Sequence, residues 1–141
     1  MIAILPLKIF AIEDDGFHAK VFIEVNGKEA CMILDTGASR TVFDENEITN
    51  FIGDNFIQKN DRLSSGLGTS TMASKKVVIE EMKLDKIKIE NYDATILDLS
   101  HVNQSYQKLG LSSVDGILGS DILNDYKAII DYGNKELKLF L

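Results

Sequence analysis

Residues 17–25 alternate with a period of two: Phe17, Ala19, Val21, Ile23 and Val25 fall on one face, His18, Lys20, Phe22 and Glu24 on the other. That period predicts a strand with one buried face. Asn26-Gly27 follows, the strongest short hairpin signal, because both residues tolerate the positive φ that a tight turn demands. Residues 28–34 return as the partner strand, become fully apolar and run straight into Asp35-Thr36-Gly37-Ala38-Ser39. A carboxylate at the end of a core strand is costly unless it is hydrogen-bonded. Any fold of this chain therefore has to build a turn that satisfies Asp35.

The remaining segments are short and of the same kind. Residues 3–10 predict a strand, turned by Glu13-Asp14-Asp15-Gly16, and residues 41–43 another. Asp44, with Glu47 three residues on, predicts a capping box on a helix reaching residue 51. Residues 60–76 are polar and small, with Gly66 and Gly68, and read as a mobile loop or hairpin between strands. Strands are expected over 77–84, 87–92 and 94–97, a helix over 100–109, and an apolar strand ending at Gly119. Ser120 is expected to cap a helix to residue 126, and residues 127–131 and 135–141 to close a last hairpin. With 45% hydrophobic and 26% charged residues, no repeat and no linker, residues 1–141 read as one mostly β domain, a barrel or sandwich.

Charge and cysteine usage narrow the function classes. The net charge is −7 and the longest basic run is Lys75-Lys76, so no basic patch is available to neutralise phosphates and no nucleic-acid partner is expected. No apolar stretch reaches transmembrane length, so no membrane partner is expected either. Cys31, the single cysteine, lies in an apolar run and reads as a small core residue. With no intrachain disulfide possible and no signal-peptide pattern in residues 1–8, the expectation is a cytoplasmic protein. His18 and His101 lack metal-ligand spacing, so no metal or cofactor is expected, and surface exposure is the reading for both. There is no Gly-x-Ser-x-Gly elbow, dinucleotide loop or P-loop.

Asp35 is the remaining candidate for chemistry. Gly37 lets the chain turn and offers its N–H to an acid oxygen, and the hydroxyls of Thr36 and Ser39 can brace the turn. The tripeptide alone fits an Asx-type turn equally well, in which Asp35 caps its own backbone. The longer context goes further. Ile33-Leu34-Asp35-Thr36-Gly37-Ala38-Ser39 resembles the active-site signature of retropepsin-like aspartic peptidases, and Ile117-Leu118-Gly119-Ser120-Asp121 resembles their second signature, an apolar pair and glycine before a short helix. A glycine-bearing polar loop lies between the two, where that family keeps its flap.

The resemblance implies a single-lobe closed β-barrel with one or two short helices and a flap hairpin. It implies Asp35 as the catalytic acid, with Thr36, Gly37, Ala38, Ser39, Ile117, Leu118 and Gly119 supporting its loop, and Gly66, Leu67 and Gly68 of the flap touching an extended peptide or protein substrate. Such hydrolysis uses two carboxylates sharing one proton. The chain holds one Asp-Thr-Gly, so the second Asp35 is expected from the partner in a homodimer. Asp115, before Gly116, is the alternative internal acid and reads better as a turn residue. Asp121 reads as a helix first-turn residue. Ala38 adds no hydroxyl donor to the carboxylate, which predicts activity reaching closer to neutral pH than in digestive relatives. The hairpin after Gly119 resembles the domain of DNA-damage-inducible proteins and bacterial relatives more than viral enzymes, so the viral interface of interleaved termini does not carry over. Leu137, Leu139 and Leu141 could serve an interface or the core. The rival readings are a catalytically silent dimerisation or peptide-binding module on the same fold, and a metal-dependent hydrolase that a chelator would inactivate.

Overall fold

The computed structural model describes the backbone of residues 1–53, 58–65 and 71–141. The hairpin read from the sequence is present as β3 (Phe17–Val25) and β4 (Lys28–Leu34), paired antiparallel from Lys20↔Ile33 to Val25↔Lys28. Asn26 and Gly27 take φ of 48° and 83°, the two positive values that a two-residue turn of this hand requires. Ala19, Val21, Ile23 and Val25 are buried, as their alternation requires, whereas Phe17 projects beyond the core and is 69% exposed.

The segment expected as one strand over 3–10 is two strands in two sheets, β1 (Ile2–Pro6) and β2 (Lys8–Ala11). Pro6 has no N–H to continue a ladder, and it ends a strand at a sheet edge, where proline is tolerated. Downstream lie β5 (Val42–Asp44), α1 (Thr49–Ile52), β6 (Gln58–Ser65), β7 (Thr71–Leu84), β8 (Ile87–Leu97), α2 (Ser100–Lys108), β9 (Gly116–Leu118), α3 (Ser120–Asp125), β10 (Ile129–Asp131) and β11 (Glu136–Phe140). The two strands expected over 87–97 are one, because β8 pairs with β7 along its length, from Leu84↔Ile87 to Lys75↔Ile96, while the inward face passes from Ile87 to Ala94 and Ile96 on either side of Asn91, whose φ is 52°.

The larger sheet runs β2-β3-β4-β9-β5-β8-β7-β6, and a further β3–β7 pairing through Glu24↔Lys83 and Val25↔Met82 closes six of these strands into a barrel. The smaller sheet, β1-β11-β10, packs Ala3, Leu5, Leu137 and Leu139 into the same core. Leu137 and Leu139 thus serve the core, while Leu141 is exposed. Among the described residues the helices number three rather than one or two. β6 and β7 pair as the arms of the expected hairpin, from Gln58↔Lys76 to Ser65↔Thr71, and the flap residues Gly66, Leu67 and Gly68 lie outside the described residues. No helix among the described residues is long and apolar enough to cross a membrane.

The capping box expected at Asp44 does not form. The Asp44 carboxylate turns inward, where Oδ1 accepts from Asn46 N and Leu99 N and Oδ2 accepts from Asn103 Nδ2. These partners satisfy a charge that is 2% exposed.

Candidate active site

The Asp35 loop is built around β9. Leu118 of β9 lies beside Leu34 of β4 in parallel register, and Ile117 beside Val42 of β5 in antiparallel register. The chain leaving β4 must therefore loop over the end of β9 to reach β5, and residues 35–41 are that loop. β9 begins at Gly116 and is followed by Gly119 because the backbones touch at both places. A Cβ on Gly116 would lie 2.4 Å from Val42 O, and one on Gly119 would lie 2.6 Å from Arg40 C and O. Neither contact leaves room for a methyl group.

Hydrogen bonds hold the loop from behind. Asp35 N donates to Leu118 O at 3.1 Å, Ser120 N donates to Ala38 O at 2.8 Å, and Gly119 N donates to Thr41 Oγ1 at 3.0 Å. Thr41, wholly buried, donates from both N and Oγ1 to Asp121 Oδ1 at 2.8 Å. Tyr92 Oη donates to Asp121 Oδ2, and Arg40 Nη2 donates to Asp93 O. Burial would raise the Asp121 pKa, but the hydrogen bonds from Tyr92 and Thr41 outweigh it and hold Asp121 below the usual aspartate range. Burial, then the Asp121 hydrogen bond and charge, push Tyr92 far up, so its hydroxyl stays a donor.

Within this frame the Asp35 side chain faces outward. Its Oδ1 accepts from Gly37 N at 2.9 Å, and its carbonyl accepts from Ala38 N at 3.1 Å, so the turn predicted at Gly37 is present. Asp35, Thr36, Gly37 and Ser39 are exposed and Ala38 is half-buried. Among the described residues the hydroxyl that ties the loop is that of Thr41, not Thr36 or Ser39. Sequence reasoning missed Thr41, Tyr92 and the tie through Asp121. The helix after Gly119 placed Asp121 in a first turn correctly, but nothing local pointed to partners 29 and 80 residues away.

Asp115 sits at the other end of β9. Its Oδ2 accepts from Cys31 N at 2.8 Å, its N–H donates to Cys31 O, and its carbonyl accepts from Asp44 N. Four residue steps along the strand, about 13 Å, separate it from the level of Asp35, so these two acids cannot share a proton. Burial raises the Asp115 pKa and also that of the Cys31 thiol beside it. Ile117 and Leu118 are packing residues, and Leu118 is fully buried.

Two depressions flank the loop. One, of about 240 Å³, is lined by Phe17, His18, Ala19, Ile33, Leu34, Asp35 and Tyr132. The other, of about 350 Å³, lies between Thr36 and Ile130 and is floored by Leu123 and Ala128. His18, expected as plain surface, is exposed but borders the same cavity as Asp35. Among the described residues no group of three His, Cys, Asp or Glu side chains is arranged to hold a metal ion.

The barrel that carries this turn matches what comparison with known proteins finds. A family model described as aspartyl protease matches residues 21–122, from β3 to α3, and the chain belongs to that family. Among solved structures it is similar to a retropepsin-like aspartic protease from Rickettsia conorii, at 17% identity and a TM-score of 0.57 over 99% of this chain and 92% of that one. It is similar to the retroviral protease-like domain of Ddi1 from Leishmania major, at 14% identity and a TM-score of 0.57 over 85% and 86% of the two chains. It also resembles the EIAV protease complexed with the inhibitor HBY-793, at 18% identity and a TM-score of 0.55 over 75% and 85%. No curated protein matches the sequence. The fold is retropepsin-like, a closed six-strand barrel with three short helices.

Proposed function

We propose that the protein is an aspartic endopeptidase that hydrolyses extended peptides as a homodimer, with one Asp35 from each subunit. The observation that carries this reading is the Asp35 carboxylate itself. It is exposed at the end of a core strand, on a loop tied from behind by Leu118, Gly119, Ser120 and Thr41, with Oδ1 held by the Gly37 N–H. One such acid is half of a mechanism. Two acids about 3 Å apart cannot both ionise, so a pair holds a single proton. The ionised member takes a proton from water as the water oxygen bonds the carbonyl carbon. The protonated member gives its proton to the carbonyl oxygen. Collapse of the resulting diol returns a proton to one carboxylate and delivers one to the leaving nitrogen as the C–N bond breaks.

The surface around Asp35 is consistent with cover by a second copy. Phe17 and Tyr132, which border the Asp35 cavity, are 69% and 59% exposed, and the outer face of the small sheet carries exposed Ile2, Ile4 and Ile129. Flap residues Gly66, Leu67 and Gly68 would lie over the bound peptide.

Cleavage of a peptide library by wild type against Asp35→Asn tests the proposal. Cleavage lost in the variant, with its melting temperature kept, supports it. Dimers that bind peptides without Asp35-dependent cleavage would establish the silent binding module instead. Activity lost to a chelator would point to metal-dependent hydrolysis.

A further inference from the structure

The cavity beside Asp35 is lined by apolar Phe17, Ala19, Ile33 and Leu34 and by two hydrogen-bonding rings, that of the exposed Tyr132 and that of His18. That ring is not a loose surface group. His18 Nδ1 lies 2.8 Å from Tyr106 Oη, and the ring meets the edges of Phe10 and Tyr106 at centroid distances of 6.0 and 5.9 Å. Phe10 and Tyr106 pack edge-to-face on each other at 5.8 Å. Tyr106 is only 5% exposed and forms a small core with Ile33 and Val114. Three elements, β2, β3 and α2, thus hold one imidazole at the cavity that contains Asp35.

The orientation has a chemical consequence. The Tyr106 hydroxyl can donate to Nδ1 or accept from it, and either way Nε2 is the ring's remaining polar atom. An aliphatic ligand that covers this nitrogen strips it of water and offers nothing in return. A ligand with a hydroxyl or amide at that point can donate or accept and restores the bond. Apolar walls with one braced polar ring select a side chain with an apolar body and a hydroxyl or amide at its tip.

We propose that His18 is a specificity-determining residue, and that its subsite takes, next to the scissile bond, a tyrosine- or glutamine-class side chain in preference to its hydrocarbon counterpart. The proposal rests on the reading of Asp35 as the point of cleavage, since that places the cavity at the residue beside the broken bond.

The test uses peptide pairs that differ only at that residue, tyrosine against phenylalanine and glutamine against leucine, with kcat/KM measured for wild type and His18→Phe. Wild type should favour the polar-tipped member of each pair by about three- to tenfold, the worth of one net hydrogen bond. His18→Phe should bring the ratio to about one. Because each ratio is taken within one enzyme preparation, a general loss of folded protein cancels. Tyr106→Phe, which keeps the ring and removes only the hydroxyl that holds the imidazole at Nδ1, should lower the ratio without abolishing it. A wild-type ratio of one, or a ratio that His18→Phe leaves intact, overturns the subsite while cleavage stands. The same pairs are titrated onto Asp35→Asn protein and its His18→Phe double variant. Selective binding that depends on His18, in a chain whose wild type cleaves nothing, would uphold the subsite and overturn the peptidase reading. No selectivity in either assay would overturn the subsite.

Discussion

Gly119 carries no unusual backbone conformation, yet it is among the least replaceable positions in the molecule. The space that a Cβ would need is filled by Arg40 backbone atoms at 2.6 Å and Ala38 O at 2.9 Å. Gly119→Ala should therefore push the Asp35 loop off β9, destabilise the fold by about 1–3 kcal/mol and reduce cleavage by more than the unfolded fraction explains. Urea denaturation paired with kcat/KM checks this, and an unchanged denaturation midpoint would refute it. Asp121 acts on the same loop through Thr41 and Tyr92. Its pKa is lowered in the folded state, so its stabilisation is present above the ordinary aspartate pKa of about 3.9 and is lost as pH falls through the lower folded value. Asp121→Asn should cost about 1.5–3 kcal/mol at neutral pH, and the gap to wild type should narrow below about pH 4. Denaturation curves between pH 3 and 7 would expose the opposite outcome, a gap that stays constant.

At the level of elements, α2 is fastened to the barrel by polar groups as well as by packing. Asn103, 8% exposed, donates from Nδ2 to Asp44 Oδ2 and to Val114 O, and its Oδ1 accepts from Val114 N. One amide thereby ties the helix to the strand after the Asp35 loop and to the segment entering β9. Asn103→Ala leaves a buried carboxylate oxygen and a backbone N–H short of a partner, so a loss of about 1–3 kcal/mol is expected. Hydrogen exchange should show the change concentrated in α2 and residues 111–115. Protection lost evenly over the chain would contradict it. The helix expected over residues 100–109 is present as Ser100–Lys108. Its docking was not legible, because a buried Asn-Asp pair 59 residues apart has no local signature.

For the whole molecule, the proposed mechanism makes activity a property of pairs. Mixing wild type with Asp35→Asn at equal total concentration should reduce activity with the square of the wild-type fraction, since mixed dimers hold one working acid. A linear fall would show that one chain suffices. Specific activity should also drop on dilution through the dimer dissociation constant, with sedimentation run on the same samples.

The sequence by itself determined the strand hairpin, the turn at Gly37, the order of the two signature segments and so the family and the barrel. These rest on short-range chemistry: a period of two, positive φ at Asn26-Gly27 and an acid that needs a nearby N–H. Tertiary structure alone decided which hydroxyl ties the loop, which acids are structural, and that Pro6 divides the first strand between two sheets. It also decided that His18, outside the Asp35 signature in sequence, shares a cavity with Asp35. In each case the partners are brought together only by closure of the barrel, and side-chain hydrogen bonds and close backbone contacts between distant segments have no period in the chain from which they could be read.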